Sequence, residues 1–497
     1  MNNGIPTYVS FALYMLALCA IGVVAWLRTT DFDDYILGGR KLGPGVTALS
    51  AGASDMSGWV MMGLPGAIFA TGLSESWIGV GLVAGAWVNW LLVAGRLRVY
   101  TERAHNALTL PDYFTHRFED GSRLLRIISA LVILVFFSLY VASGVVAGGL
   151  LIQSVFGIDY AYAIWIGAGV TIAYTLVGGF LAVSWTDAMQ GILVLLALLV
   201  LPVVAAVANG GIGESVALVE QVDPQRLDWV GAGGWIAVVS GLAWGLGYFG
   251  QPHILVRFMA LDSLASVPLA RRIGMSWMIL CLLGSLAIGF FGIGWFQTHP
   301  EAAAPVRENA ETVFITLTGV ILNPWIGGFV LAAILAAVMS TLNSQLLVSS
   351  SALTEDFYRA FLRRDAGQRE LVWVGRITLL LVSLLAIWMA RDPEARVLDL
   401  VSYAWAGFGS AFGPVVLISL LWKRMTRNGA LAGMLVGGLV ALVWGSQKWF
   451  GLYEMIPGAL CASLAIVAVS LMGRPPQESV RRTFDAVQAE VAAGGRG

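Results

Sequence analysis

One carboxylate in an apolar stretch is the first residue here that could do chemistry. Asp55 stands in Ala53-Ser54-Asp55-Met56-Ser57-Gly58-Trp59, deep in a run of apolar residues. A carboxylate at membrane depth is costly unless it is paired or meets a cation. Cation handling and a protonated cap on a broken helix both fit it. A second constellation is Ala337, Ser340, Thr341 and Ser344, spaced i, i+3, i+4 and i+7. That spacing puts them on one stripe of a helix. Hydroxyls with freed carbonyls are hard oxygen ligands that suit sodium without adding charge. The same hydroxyls could instead bond carbonyls one turn back. Trp244, Tyr248 and Pro252 recur every four residues. On a helix they would wall a site for a small, partly apolar substrate with a polar end. With 19 tryptophans in the chain, an interfacial belt is the competing reading of Trp244. Asp187 follows GGFLAVSWT at 178–186 and reads as the acid at the start of a span. It suits a helix cap or a cation-handling group equally.

The elements that must carry these residues follow from composition. Of 497 residues, 58% are hydrophobic and only 12% charged, with a formal net charge of -1. A soluble protein of this length needs about twice that charged fraction, so a soluble enzyme is excluded. Disorder is excluded by the same apolarity. A bilayer core needs about 20 apolar residues as a helix. Thirteen runs qualify: 7–27, 45–71, 76–95, 124–152, 160–182, 188–208, 233–257, 273–296, 318–350, 371–390, 398–422, 429–446 and 454–472. Run 318–350 is too long for one span and is expected to include a lead-in near Asn323-Pro324. Lys and Arg number 23 in one set of alternate connections and 5 in the other. Positive loops stay inside, so the expected N-terminus is outside and the C-terminus inside, which requires an odd number of spans. Arg376 lies within a span and, like Arg40, reads as snorkelling or positive-inside.

The second run holds Gly52, Gly58, Gly63, Pro65 and Gly66; the seventh holds Gly241, Gly245, Gly247, Gly250 and Pro252. Two interrupted helices at corresponding places point to a transporter's midplane site. The expected domain is one transmembrane unit over 1–473. Its first repeat covers about 45–208 and an inverted second repeat about 233–422, with helices 1, 12 and 13 peripheral and a cytoplasmic tail over 474–497. Glycines that merely let helices approach are the alternative. Cys19, Cys281 and Cys461 lack metal-ligand spacing, and His105, His116, His253 and His299 are scattered with no HxxxH-type pair, so a catalytic zinc site is not expected. Phosphate-loop motifs are absent, as are a catalytic constellation, any nucleic-acid-binding feature and a soluble output domain, so an enzyme is not expected. The uncharged start over 1–10 is read as leading into a retained helix.

The sequence resembles the sodium/solute symporter family along nearly its whole length. The segments that carry the resemblance are FDDYILGGR at 32–40, LSAGASDMSGWVMMGLPGA at 49–67, NALTLPDYF at 106–114, GGFLAVSWTD at 178–187, AWGLGYFGQPHIL at 243–255, LAAILAAVMSTL at 331–342 and LVSYAWAGFGSAFGPVV at 400–416. GASDMSGW and AAVMST narrow it to members that carry proline. The resemblance implies an all-α, LeuT-type fold of 13 transmembrane helices with a 5+5 inverted repeat. It implies a multi-pass protein of the bacterial inner membrane that couples sodium entry to L-proline uptake, as a monomer and with no organic cofactor. The implied sodium ligands are the carbonyls of Ala53, Met56 and Ala337 and the hydroxyls of Ser340 and Thr341, supported by Asp55. The implied proline contacts are Ser57, Gly58, Tyr140, Trp244, Tyr248 and Pro252. Asp187, Asn343 and Ser344 form a candidate second cation position or release path. A proton-coupled or other amino-acid carrier of the same fold, or a membrane-embedded nutrient sensor, are the alternatives.

Overall fold

The computed structural model describes residues 4–26 and 37–494. Residues 32–36 of the FDDYILGGR segment fall outside that range. The regular secondary structure of the described residues is helical. Among them, ten helices are long and apolar enough to cross a membrane. Other apolar helices are shorter, at Trp59–Thr71, Tyr160–Leu176, Gly234–Gly250 and Ala310–Ile321. Three of these fall in the second, fifth and seventh apolar runs, and each has a physical cause for being short.

The second run is helix α1 (Pro44–Asp55), a break at 56–58, a wide π turn over Trp59–Gly63, and α2 (Leu64–Thr71). Met56 leaves helical geometry at ψ 81 and closes α1. Pro65 has no N–H to give back to the preceding turn, so the backbone there cannot continue regular α pairing. The fifth and sixth runs form α3 (Tyr160–Ala208), bent at Gly179, whose φ of 63 and ψ of -175 suit only glycine. The seventh run is α4 (Gly234–Ala243), a 3-10 segment over Trp244–Gly250, and α5 (Pro252–Ala260). The run over 318–350 is two helices. One ends at Ile321, and α6 (Pro324–Ser351) starts afresh with the Asn323 side chain accepting from the Trp325 N–H at 3.0 Å.

Burial ranks the helices. In α6 and over Val397–Leu421, 83% of the most apolar stretch is buried, against 28% at Ile5–Gly22 and Met455–Met472. The first two are therefore central and the last two outer. α6 packs on both α1 and α3.

The breaker glycines also set close approaches. A Cβ on Gly85 would lie 2.0 Å from the Gly245 carbonyl, and one on Gly245 would lie 2.2 Å from that of Gly81. Helix α7 (Ser76–Asn89) thus meets the 244–250 segment along paired small residues, backbone on backbone. Both sequence readings of these glycines hold at once: the helix breaks there, and its neighbour closes on it.

Candidate functional site

The break after Asp55 frees a carbonyl. The Ser57 N–H, which helix geometry would aim at Ala53, bonds the Asp55 carbonyl instead at 2.9 Å. The Ala53 carbonyl is met by two hydroxyls of α6, Ser340 Oγ at 2.7 Å and Thr341 Oγ1 at 3.3 Å. Ser340 Oγ also donates to the Ala337 carbonyl at 3.0 Å. Four of the five expected sodium ligands thus converge, all of them buried. Met56, the fifth, caps α1 through its N–H to Gly52. Two hydroxyls crowding one carbonyl supply several oxygens to a small hard cation once their protons turn outward.

Asp55 is also buried, at 2% exposure. Tyr248 donates to its Oδ2, while Oδ1 has no partner. The two broken helices are therefore joined by a phenol–carboxylate bond. The Asp55 carbonyl accepts from Trp59 Nε1 at 2.9 Å and from Tyr140 OH at 3.4 Å. Asn89, which the sequence reading passed over, donates from Nδ2 to the Tyr248 carbonyl at 3.1 Å. The signal was present: a lone amide inside an apolar run. A narrow cavity of about 30 Å³ lies between Asp55, Asn89 and Tyr248.

The aromatic wall is not assembled as the four-residue spacing suggests. The 244–250 segment winds with three residues per turn, so residues four apart diverge. Tyr248 lines the Asp55 cavity, Trp244 an open cleft of about 540 Å³ beside Tyr453, and Pro252 a third pocket with Phe180 and Val256. Trp244 stacks on Tyr453 at 5.5 Å in that cleft and sits 6.4 Å from Trp59. Gly58 does not face the cavity: its missing Cβ would lie 2.5 Å from Ala147. Ser57 is buried in the break, its Oγ 3.5 Å from the Trp59 N–H.

The second cation position needs correction. Asp187 caps nothing; it lies two turns beyond the Gly179 bend, fully buried. Arg257, the last residue of the seventh run, is equally buried and donates from Nη2 to Asp187 Oδ2 at 3.1 Å. It also bonds Ser344 Oγ at 2.5 Å, Ser50 Oγ at 3.1 Å and the His253 carbonyl at 2.8 Å. The positive charge at Asp187 and Ser344 is a guanidinium. Asn343 Oδ1 accepts instead from Thr175 at 2.5 Å. The sequence misled because Arg257 ends an apolar run, where a loop residue looks the same. One smaller expectation also changes. Arg40 is no free snorkel: it ties the Met259 and Ala107 carbonyls at 2.6 and 2.7 Å.

Comparison with known proteins agrees along the chain. Residues 35–437 match the family described as the sodium:solute symporter family. The chain is 60% identical over 479 residues to the sodium/proline symporter of Escherichia coli (strain K12), covering 96% of this chain and 95% of that protein. It is 51% identical over 469 residues to the high-affinity proline transporter PutP of Bacillus subtilis (strain 168), covering 94% and 98%. Among solved structures, a Na+-coupled sialic acid symporter in a substrate-bound outward-open state superposes with a TM-score of 0.81 at 19% identity, covering 96% and 100%. Mhp1, a nucleobase-cation-symport-1 family transporter, follows with a TM-score of 0.56 at 14% identity, covering 91% and 98%. These two likenesses are of fold.

Proposed function

The chain belongs to the sodium:solute symporter family, and from that premise we infer that it carries L-proline into the cell on the sodium gradient. It is a transporter and not an enzyme, a multi-pass protein of the bacterial inner membrane, with sodium as coupling ion. The observation that carries the reading of its site is the meeting of Ser340 and Thr341 with the freed Ala53 carbonyl.

The finer architecture is our proposal. The ten long helices plus the shorter ones of the second, fifth and seventh runs give thirteen spans, with the N-terminus outside and the LeuT-type 5+5 repeat over about 45–208 and 233–422. The breaks at 56–58 and 244–251 are then symmetry mates. Every group of the site lies in one chain, which suits a working monomer.

Sodium is a substrate here. It enters between α1 and α6 and takes the oxygens of Ala53, Met56, Ala337, Ser340 and Thr341. The hydroxyl protons leave the carbonyls, and the ion pulls the broken helix onto α6. The negative Asp55 lowers the cost of a cation nearby. Asp55 also holds Tyr248, so closing the sodium site sets the phenol that faces the substrate. Tyr140 and Trp244 stand on either side of the break, against Asp55 and Trp59. The 30 Å³ cavity admits a water-sized group, not a pyrrolidine ring, so proline binding opens it. Alternating access then releases both solutes inside. One sodium falling through 100 mV contributes about 2.3 kcal/mol before its concentration gradient is counted.

The test is labelled proline uptake into proteoliposomes. An inward sodium gradient should drive accumulation, and a pH gradient of equal size in sodium-free buffer should not. Accumulation on the pH gradient alone would establish proton coupling instead.

A further inference from the structure

We infer that Asp55 Oδ1 and Asn89 Oδ1 together receive the secondary ammonium of the substrate, so that Asn89 selects for an imino acid. This rests on the proline reading above and names the atoms that recognise the nitrogen.

Both side chains are buried, at 2% and 1% exposure. Each has one oxygen with no hydrogen-bond partner, and both line the same cavity. The other end of each is already fixed by one residue. Tyr248 OH donates to Asp55 Oδ2, and Asn89 Nδ2 donates to the Tyr248 carbonyl. The amide is thereby oriented, with nitrogen on backbone and Oδ1 left over. That carbonyl lies in the 3-10 stretch, which explains why an amide is placed beside it.

Two buried acceptors, one of them charged, are costly when unpaired. They call for a partner with two donors and a positive charge. A pyrrolidinium nitrogen has two N–H groups and one positive charge, so it satisfies both. A primary ammonium brings a third N–H into a cavity whose other side chains, among them Ala86, Ile254 and Phe258, offer it no strong acceptor. Rejecting a group by leaving a polar atom unpaired is a strong form of discrimination. A volume of about 30 Å³ fits the nitrogen end of the molecule and leaves the ring to be placed by opening at Tyr248. The sodium ligands proposed above include neither oxygen, so the nitrogen and the ion share the Asp55 charge without competing for a ligand atom.

The test compares inhibition of labelled proline uptake by L-proline and by N-methyl-L-proline, which keeps the charge but has one N–H. In the native protein the methylated compound should be weaker by about tenfold or more, the loss of one charge-assisted bond. In Asn89→Leu proline should weaken by about tenfold while N-methylproline changes little, so the ratio collapses. Leu has similar bulk, so a purely steric penalty against the methyl group would persist. Asn89→Gln, which keeps an amide, should retain part of the ratio. Sodium binding measured without proline should be unchanged in both. Asn89→Ser carries the same comparison if the Leu variant is not recovered folded. Retained uptake with an unchanged ratio would overturn the inference and leave the two oxygens to a buried water. Native protein that moves no proline on a sodium gradient would overturn the proline reading itself.

Discussion

Neutralising one member of the Asp187–Arg257 pair should harm the protein more than neutralising both. Both side chains are fully buried, and Arg257 makes four hydrogen bonds, to Asp187, Ser344, Ser50 and the His253 carbonyl. Arg257→Gln leaves a carboxylate in that environment with only Ser50 at 2.8 Å and Ser344 at 3.4 Å. Asp187→Asn leaves an unmatched guanidinium. Breaking a buried pair from one side costs about 3–5 kcal/mol, because an uncompensated charge remains. The double variant Asp187→Asn/Arg257→Gln has no buried charge and keeps amide donors and acceptors. It should recover about half of that loss or more, standing about 2 kcal/mol above either single variant. The assay is thermal unfolding of the four purified proteins in detergent, compared as apparent midpoints because such unfolding is often irreversible. The double variant should melt above both single variants. A double variant that melts below both, with the single losses adding, would refute the ion-pair reasoning. The pair also fills the proposed second cation position, so the charge moved per proline, read from reversal potentials, should not change in Asp187→Asn.

Three further outcomes follow from the geometry. Ser340→Ala should raise the half-saturating sodium concentration for uptake more than Thr341→Ala, since Ser340 meets two carbonyls and stands closer to Ala53, at 2.7 against 3.3 Å; the reverse order, or no shift in either, would count against these ligands. Asp55→Asn should lose far more sodium-dependent uptake than Asp55→Glu, because only Glu keeps the charge; full coupling in Asp55→Asn would make Asp55 a structural cap. Gly85→Ala should abolish uptake by forcing α7 off the 244–250 segment, whereas Gly43→Ala, with open space around it, should be mild; normal transport in Gly85→Ala would mean the approach is looser than 2.0 Å implies.

Much of the site was legible because its signals are local. The glycines and prolines near 52–66 and 241–252 mark breaks, and the structure has breaks there. The hydroxyl spacing of Ser340 and Thr341 needs only one helical stripe, and α6 is a regular helix through both. The misses share a different cause. Trp244, Tyr248 and Pro252 were read with helical spacing across a stretch that the glycines themselves unwind, so the face was lost with the helix. Arg257 and Asp187 gave no local sign of each other, being 70 residues apart. Asn89 shows in the sequence as a lone amide in an apolar run, but its partner, the Tyr248 carbonyl, is 159 residues away.

The most direct test of sodium–proline coupling is reciprocal binding to the purified protein. Proline affinity is measured with and without saturating sodium, and sodium affinity with and without saturating proline. If the ion closes the α1–α6 contact that sets Tyr248, each ligand must raise the affinity of the other by the same factor. That factor should be about tenfold or more in the native protein and should fall toward one in Ser340→Ala/Thr341→Ala. Proline binding that is equally tight without sodium would contradict coupling through this site.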